Sequence, residues 1–187
     1  MRANTVNVEA QRTIIMHTYL HSAAHFALKN AEKNGVGQAY DLIHAITSTA
    51  FFVEAYLNFL GEQQLPDWRE AERLSPMEKY TLICAHLGME TGKGEKVYHA
   101  FQQAIDFRNL MAHGRTETVQ GAWIEAADLE GLNRQPETGW EKLCNSKMAR
   151  RLFEGSEKLV RSLHQKAGFE DDPFATLGHG RTVRSLR

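Results

Sequence analysis

Residues 38–64 constrain the fold of this chain more than any other stretch. Within them, the sequence AYDLIHAITSTAFFVEAYLNFLGEQQ places apolar side chains around most of the circumference of an α-helix. A helix at a protein surface is apolar along one stripe only. We therefore predict a long helix that lies in the middle of a bundle and is packed by other helices on most sides.

Helical spacing of apolar residues predicts the other elements of that bundle. The pattern gives four further helices, over residues 8–33, 76–89, 95–113 and 147–167. Pro76 suits the first position of its helix, Gly114 a left-handed residue that ends the helix before it, and Ser146 the N-cap of the last helix. The predicted fold is all-α, an up-and-down bundle of about five helices.

Two segments depart from this regularity. Residues 116–145 contain Gly121, Gly131, Pro136 and Gly139 around two short β-compatible runs, which predicts an irregular insertion or a β-hairpin before the last helix. Residues 169–187 end in a glycine-containing basic stretch, for which we expect a flexible C-terminal tail. Residues 1–168 then form one helical domain with the insertion inside it.

Charge, cysteines and missing motifs exclude several classes of protein. The chain of 187 residues has 22 Lys and Arg against 23 Asp and Glu, so any phosphate binding must come from a local patch. Cys84 and Cys144 lack CxxC spacing and resemble reduced thiols rather than a disulfide framework. The sequence has neither a secretory signal nor a stretch long enough to span a membrane, so we expect a cytoplasmic protein with no membrane partner. It also has no glycine-rich phosphate loop, nucleophile elbow or zinc ribbon.

The end of the helix over residues 95–113 carries the strongest chemical signal. Arg108 falls within the apolar stripe that runs from Val97 to Ala112, where a guanidinium is costly unless it is paired or needed. His113 follows five residues later, about 140° around the helix. It lies in the last turn, where the helix dipole favours a protonated imidazole. A fixed cation and an acid–base group are thus expected to border one cleft.

The string RNLMAH, residues 108–113, resembles the motif of HEPN domains, which is arginine, a polar residue, three variable residues and histidine. Gly114 follows it, as in many such sequences, and FFVEAYLNFL is similar to the second helix of many bacterial HEPN-like proteins. The resemblance covers roughly residues 9–114 and the last helix. It implies a metal-independent endoribonuclease that acts as a two-fold dimer, with both motif copies lining one cleft.

The resemblance also implies roles for individual residues. Arg108 would bind the scissile phosphate, and His113 would move the proton when the ribose 2′-hydroxyl attacks phosphorus. Asn109 would orient His113 or the substrate, and Glu54 would hold Arg108 by a charge-assisted hydrogen bond. Arg115 would add a second phosphate contact. It stands where HEPN proteins regulated by a nucleotidyltransferase antitoxin carry tyrosine, which puts adenylylation there in doubt. No metal or cofactor is implied.

Two functions stay open on this basis. One is RNA cleavage by a homodimer, as a toxin or a defence or stress effector, with an antitoxin or another regulatory protein as a further partner. The other is a non-catalytic HEPN-like helical module that binds a nucleotide, RNA or a protein partner. The motif residues also allow a structural explanation, because an arginine near a helix end is often ion-paired and a histidine there stabilises the helix.

Two further patterns have structural and functional explanations. His17, His21 and His25 share one helical face and could offer imidazoles to a metal, although we favour a polar stripe beside the core. The last helix is locally basic through Lys147, Arg150, Arg151, Lys158, Arg161 and Lys166. We favour a solvated face over an RNA track for this helix.

Overall fold

The computed structural model describes residues 6–33, 35–122, 135–175 and 180–186, with side chains described for residues 13–33, 35–122 and 135–175. These residues confirm the all-α prediction and form six α-helices, one more than expected. The helices are α1 Met16–Ala31, α2 Gln38–Gln64, α3 Trp68–Ala71, α4 Pro76–His86, α5 Lys96–Ala112 and α6 Ser146–Lys166. The additional helix is the four-residue α3, which lies between α2 and α4.

The central helix predicted from residues 38–64 is confirmed as α2, with the expected bounds. Phe52, Val53, Tyr56, Leu57 and Leu60 have no exposed surface. They cover more than one face of the helix because adjacent positions point about 100° apart. Helices α1, α4, α5 and α6 all pack against α2, so the core is built around this rod.

Contacts between ring side chains give the direction of three helices. His17, near the start of α1, lies 5.0 Å from Phe59, near the end of α2, between ring centres. These two helices are therefore antiparallel. The Tyr56 hydroxyl lies 3.0 Å from Nδ1 of His164, near the end of α6. Both residues lie late in their helices, so α2 and α6 run in the same direction.

The helices α5 and α6 are antiparallel and approach each other closely. A Cβ atom on Gly155 of α6 would lie 2.4 Å from the Cβ atom of Ala100 on α5. Arg151, earlier in α6, donates a hydrogen bond to Gln103, later in α5. The absence of a side chain at Gly155 lets the two helices meet with little space between them.

The first helix begins later than predicted, at Met16 rather than near residue 8. Val6–Arg12 forms a strand, β1, that pairs antiparallel with β2, Gly180–Leu186, with Val6 opposite Leu186. The pairing partner lies at the other end of the chain, so no local pattern could reveal it. The sequence VNVEAQR also alternates apolar and polar residues in its first half, which suits a strand.

The tail boundary predicted at residue 169 also requires correction, because the following residues are held against the bundle. Phe174 is 7% exposed and stacks on His21 with ring centres 3.9 Å apart. The carbonyl oxygen of Pro173 lies 2.8 Å from Nε2 of His17. Arg161 of α6 donates to Asp172 at 2.9 Å. The segment 169–175 therefore belongs to the folded domain.

The helix ends agree only in part with the sequence prediction. Pro76 does occupy the first turn of α4, behind a capping box in which Ser75 and Glu78 bond reciprocally. The N-cap of α6 is Asn145 rather than Ser146, since its side chain accepts from the backbone N–H of Met148 at 2.9 Å. Gly114 is not left-handed, and α5 instead ends at a C-cap on His113.

The insertion predicted over residues 116–145 lies only partly within the described residues. Its described parts, residues 116–122 and 135–145, contain no strand and one short 3-10 helix, Glu141–Leu143. The middle of the insertion, with much of the suggested hairpin, lies outside the described residues. Across the described parts of the chain, none of the helices is both long and apolar enough to cross a bilayer.

The close approach of α5 and α6 makes Gly155→Ala a test of the packing. The added methyl group overlaps Ala100, and such overpacking costs about 1–3 kcal/mol, more than the gain of about 1 kcal/mol in helix propensity. We expect a lower free energy of unfolding in urea. Gly94→Ala is the matched control, because no atom lies within 4 Å of a Cβ at that position. Equal stability of the two variants would show that the helices are less tightly packed than described.

Candidate functional site

The end of α5 lies beside the middle of α2, and Arg108 joins the two. Buried residues Ala104 and Phe107 hold this part of α5 in the core. Nη2 of Arg108 donates a hydrogen bond to Oε2 of Glu54 at 2.7 Å, with the two side chains 20% and 27% exposed. The predicted bond between Glu54 and Arg108 is confirmed. It accounts for an arginine among apolar positions, because the carboxylate offsets the cost of burying the charge.

The Arg108 guanidinium also lies near an aromatic ring and has a buried N–H without a partner among the described residues. Its central carbon lies 5.6 Å from the ring centre of Phe51, one turn before Glu54 on α2, which suits a cation–π contact. Its Nε atom is buried and makes no hydrogen bond with any described residue. The guanidinium is thus fixed in place while one of its donors is left unused.

A second cation, Lys79 of α4, was not identified from the sequence. It is 3% exposed, donates to Oδ1 of Asn58 at 2.8 Å and lies 3.9 Å from Oε1 of Glu54. The Glu54 carboxylate therefore forms ion pairs with both Lys79 and Arg108. Two features are consistent with a polar contact between α2 and α4. Asn58 follows Glu54 by one turn on α2, and Lys79 precedes the buried Tyr80 on α4. We call Glu54, Arg108 and Lys79 the charged rim of α2.

The other residues of the motif lie on the surface. Asn109, His113 and Arg115 are exposed, and the backbone N–H of His113 donates to the carbonyl of Asn109 at 3.0 Å. Among the described residues, no side-chain hydrogen bond links His113 to Arg108, Asn109 or Glu54. The single chain thus brings Arg108 and Glu54 together but does not assemble them with the imidazole.

Comparisons with known proteins do not add to this picture. No family model, no curated protein and no solved structure matches the chain. The likeness to HEPN domains therefore rests on the motif from Arg108 to His113 and on its position at the end of α5.

The histidine stripe of α1 has a structural role in this fold. His17 is buried, and its Nε2–H donates to the Pro173 carbonyl, while its Nδ1 has no partner among the described residues. His21 stacks on Phe174, and His25 is exposed. Within the described residues, no group of three or more His, Cys, Asp and Glu side chains is arranged to hold a metal ion.

The charged rim predicts the effect of Glu54→Gln. Without the carboxylate, the buried Lys79 and the half-buried Arg108 lose their shared anion, so we expect a loss of about 1–3 kcal/mol in unfolding free energy. Urea denaturation measures it, with Glu62→Gln, an exposed position on the same helix, as the control. In a double-mutant cycle with Arg108→Gln, a coupling near zero would argue against the ion pair.

The buried imidazole of His17 predicts a loss of stability in acid. Burial lowers the pKa of His17 to about 4, with smaller contributions from the Pro173 hydrogen bond, which raises it, and from His164 and His21, which lower it further. An unfolded histidine titrates near 6.5. The folded state therefore binds fewer protons than the unfolded state, and stability falls as pH drops from about 6.5 toward 4.

We expect this residue to account for a loss on the order of 1–2 kcal/mol between pH 7 and pH 5. Urea denaturation at both pH values, on the wild type and on His17→Asn, measures it. The variant is less stable at pH 7 but depends less on pH. His25→Gln, at an exposed position of the same helix, should keep the wild-type dependence. An unchanged dependence in His17→Asn would assign the acid sensitivity to another group.

Proposed function

We propose that this chain is a HEPN-like endoribonuclease that cleaves RNA without a metal ion. The observation that carries the proposal is the Arg108 guanidinium, held by Glu54 at 2.7 Å, on the helix whose end presents His113 to solvent. A fixed fork of donors suits the oxygens of a phosphate, and an exposed imidazole can exchange protons with a bound substrate.

The charge of the rim supports phosphate as its ligand. Arg108 and Lys79 carry two positive charges, and Glu54 carries one negative charge. The net positive charge lies in a half-buried place, where electrostatic interactions are screened less than in water. A phosphate that approaches Arg108 therefore meets an attractive field, and Glu54 keeps the guanidinium oriented until it arrives.

The proposed reaction is an internal transfer at phosphorus. The ribose 2′-oxygen attacks the adjacent phosphorus, its proton passes to a base, and the bond from phosphorus to the 5′-oxygen breaks. The departing 5′-oxygen takes a proton from an acid. His113 acts as one of these two groups, Arg108 stabilises the negative charge on the phosphate oxygens, and Asn109 and Arg115 contact substrate beside them. The products are a 2′,3′-cyclic phosphate and a 5′-hydroxyl.

A second copy of the chain is part of the proposal. The exposed His113 and the half-buried Arg108 lie next to apolar side chains that are partly exposed: Phe51 at 43% and Leu110 at 39%. A two-fold contact through such residues buries them and brings two motifs to one cleft. The histidine of one copy then faces the arginine of the other, or its own arginine, across that cleft.

The second candidate is a non-catalytic HEPN-like module that binds a nucleotide, RNA or a protein partner. One observation favours it: Glu54 already accepts a hydrogen bond from Arg108, and an arginine held by a carboxylate is less free to bind a phosphate. Such a module would bind without cleaving, and an antitoxin or other regulatory protein would act on binding alone.

The catalytic proposal predicts a large effect of His113→Ala. We expect purified wild-type protein to cleave mixed single-stranded RNA in the presence of EDTA and to leave 2′,3′-cyclic phosphate ends. The variant should be about 10²–10⁴-fold slower, the usual contribution of general acid–base catalysis. His99→Ala is the matched control, because it removes another exposed imidazole from α5 and should leave the rate unchanged.

Equal cleavage by the wild type and His113→Ala would remove the catalytic role of the imidazole. RNA binding without cleavage by either protein would favour the second candidate. Induced expression gives an independent readout. A toxic nuclease slows the growth of its host and its Arg108→Ala form does not, whereas a binding module is tolerated in both forms.

A further inference from the structure

A basic groove runs between α5 and α6, away from the charged rim. It has a volume of about 320 Å³, and Gly155, Ala100 and Val97 provide its small and apolar surfaces. Five cationic side chains and one carboxylate also line it: Lys96, Lys147, Arg150, Arg151, Lys158 and Glu154. This net charge of +4 contrasts with −1 for the whole chain.

Internal ion pairs neutralise only part of the positive charge of this groove. Arg150 is paired with Glu32 and Glu154, and Arg151 donates to the neutral Gln103. None of the ion pairs between described residues includes Lys96, Lys147 or Lys158. Three lysines and one arginine thus face the groove without a carboxylate.

The cations of α6 lie in a row along one side of that helix. Lys147, Arg151 and Lys158 are four and seven residues apart, which returns each to nearly the same face and spreads them over about 16 Å. Between Arg151 and Lys158 lies Gly155, which has no side chain and packs closely on Ala100. No large side chain therefore fills the bottom of the groove. The row therefore borders an open channel.

Helix stability does not explain the placement of these lysines. Lys147 lies in the first turn of α6, and Lys96 begins α5, and neither first turn contains an acidic residue. The helix dipole makes this end of a helix favourable for anions and unfavourable for cations. Cations and helix ends together make the groove attractive to an external anion.

We propose that the basic groove binds the phosphate backbone of single-stranded RNA, as a second contact site for the substrate of the rim. This inference rests on the proposed function for its choice of ligand. Ala100, in the groove, and His113, which ends the same helix, are about 20 Å apart along its axis and about 140° apart around it. A strand a few nucleotides long can therefore occupy both places, with the groove fixing its path and the rim binding the phosphate to be cleaved.

An acidic peptide is the competing ligand for such a row of charges. The shape of the groove favours the nucleic acid, because a row of cations along an open channel suits a strand that carries one charge at every repeat. The groove also offers few partly buried apolar side chains of the kind that anchor a peptide.

The test measures binding of a fluorescent single-stranded RNA of 20 nucleotides by anisotropy, with full-length His113→Ala as the background so that the probe stays intact. Lys147→Gln with Lys158→Gln is the test pair, and Lys33→Gln with Lys166→Gln is the control pair. All four lysines are exposed, so folding is retained, and both pairs remove the same charge. Only the test pair lines the groove.

We expect the test pair to weaken binding on the order of ten-fold and the control pair to change it little. The slope of log affinity against log salt should become shallower by about 1.4 in the test pair, or about 0.7 for each lost phosphate contact. Equal affinities and slopes for the two pairs would overturn the groove proposal. Tighter groove-dependent binding of polyaspartate than of RNA would overturn it in favour of an acidic protein partner.

The cleavage assay separates this proposal from the proposed function. If the wild type does not cleave RNA but binds it through Lys147 and Lys158, the groove proposal holds and the nuclease proposal fails. If cleavage depends on His113 while the test pair leaves KM and RNA affinity unchanged, the nuclease proposal holds and the groove proposal fails. If cleavage does not depend on His113 and the test pair does not weaken RNA binding, both proposals fail.

Discussion

The burial of α2 on most of its circumference is the constraint on which the rest of the structure depends. Side chains such as Phe52 and Val53 are fully enclosed, so the other long helices take their positions from this rod. Glu54 lies between such positions but at the edge of the enclosed surface, 27% exposed. A carboxylate there must be neutralised by the helices that flank it. Lys79 of α4 and Arg108 of α5 neutralise it by ion pairs.

The charged rim stabilises the fold and is also the proposed site of phosphate binding. Lys79 is almost fully buried, and Asn58 and Glu54 compensate for its lost hydration. Arg108 shares the same carboxylate, so the rim keeps one positive charge in excess. A structural ion pair alone does not need this excess. An anion that binds beside Arg108 completes the charge balance, which connects the stability of the bundle with its proposed phosphate chemistry.

Helix α5 relates the rim to the basic groove. Its end carries Arg108 and His113, and its first half borders the groove at Ala100, where Gly155 of α6 allows close packing. Because the helix is held in the core along its length, the two surfaces keep a fixed separation. A chain with almost no net charge thus carries two locally positive surfaces, one beside the end of α5 and one in the groove between α5 and α6, which suits the proposed polyanionic ligand.

The sequence by itself determined the five long helices, apart from the start of α1, and the candidate motif, since both depend on local patterns. Apolar periodicity located α2 within its observed bounds, an arginine in an apolar stripe indicated the need for a partner, and the resemblance to HEPN domains implied Glu54 as that partner. Only the tertiary structure brought Lys79 to that carboxylate, paired the two ends of the chain as strands, and joined His17 to Pro173 across 156 positions. Periodicity records which face of an element is buried, whereas partners far apart in sequence are selected by how the buried faces pack.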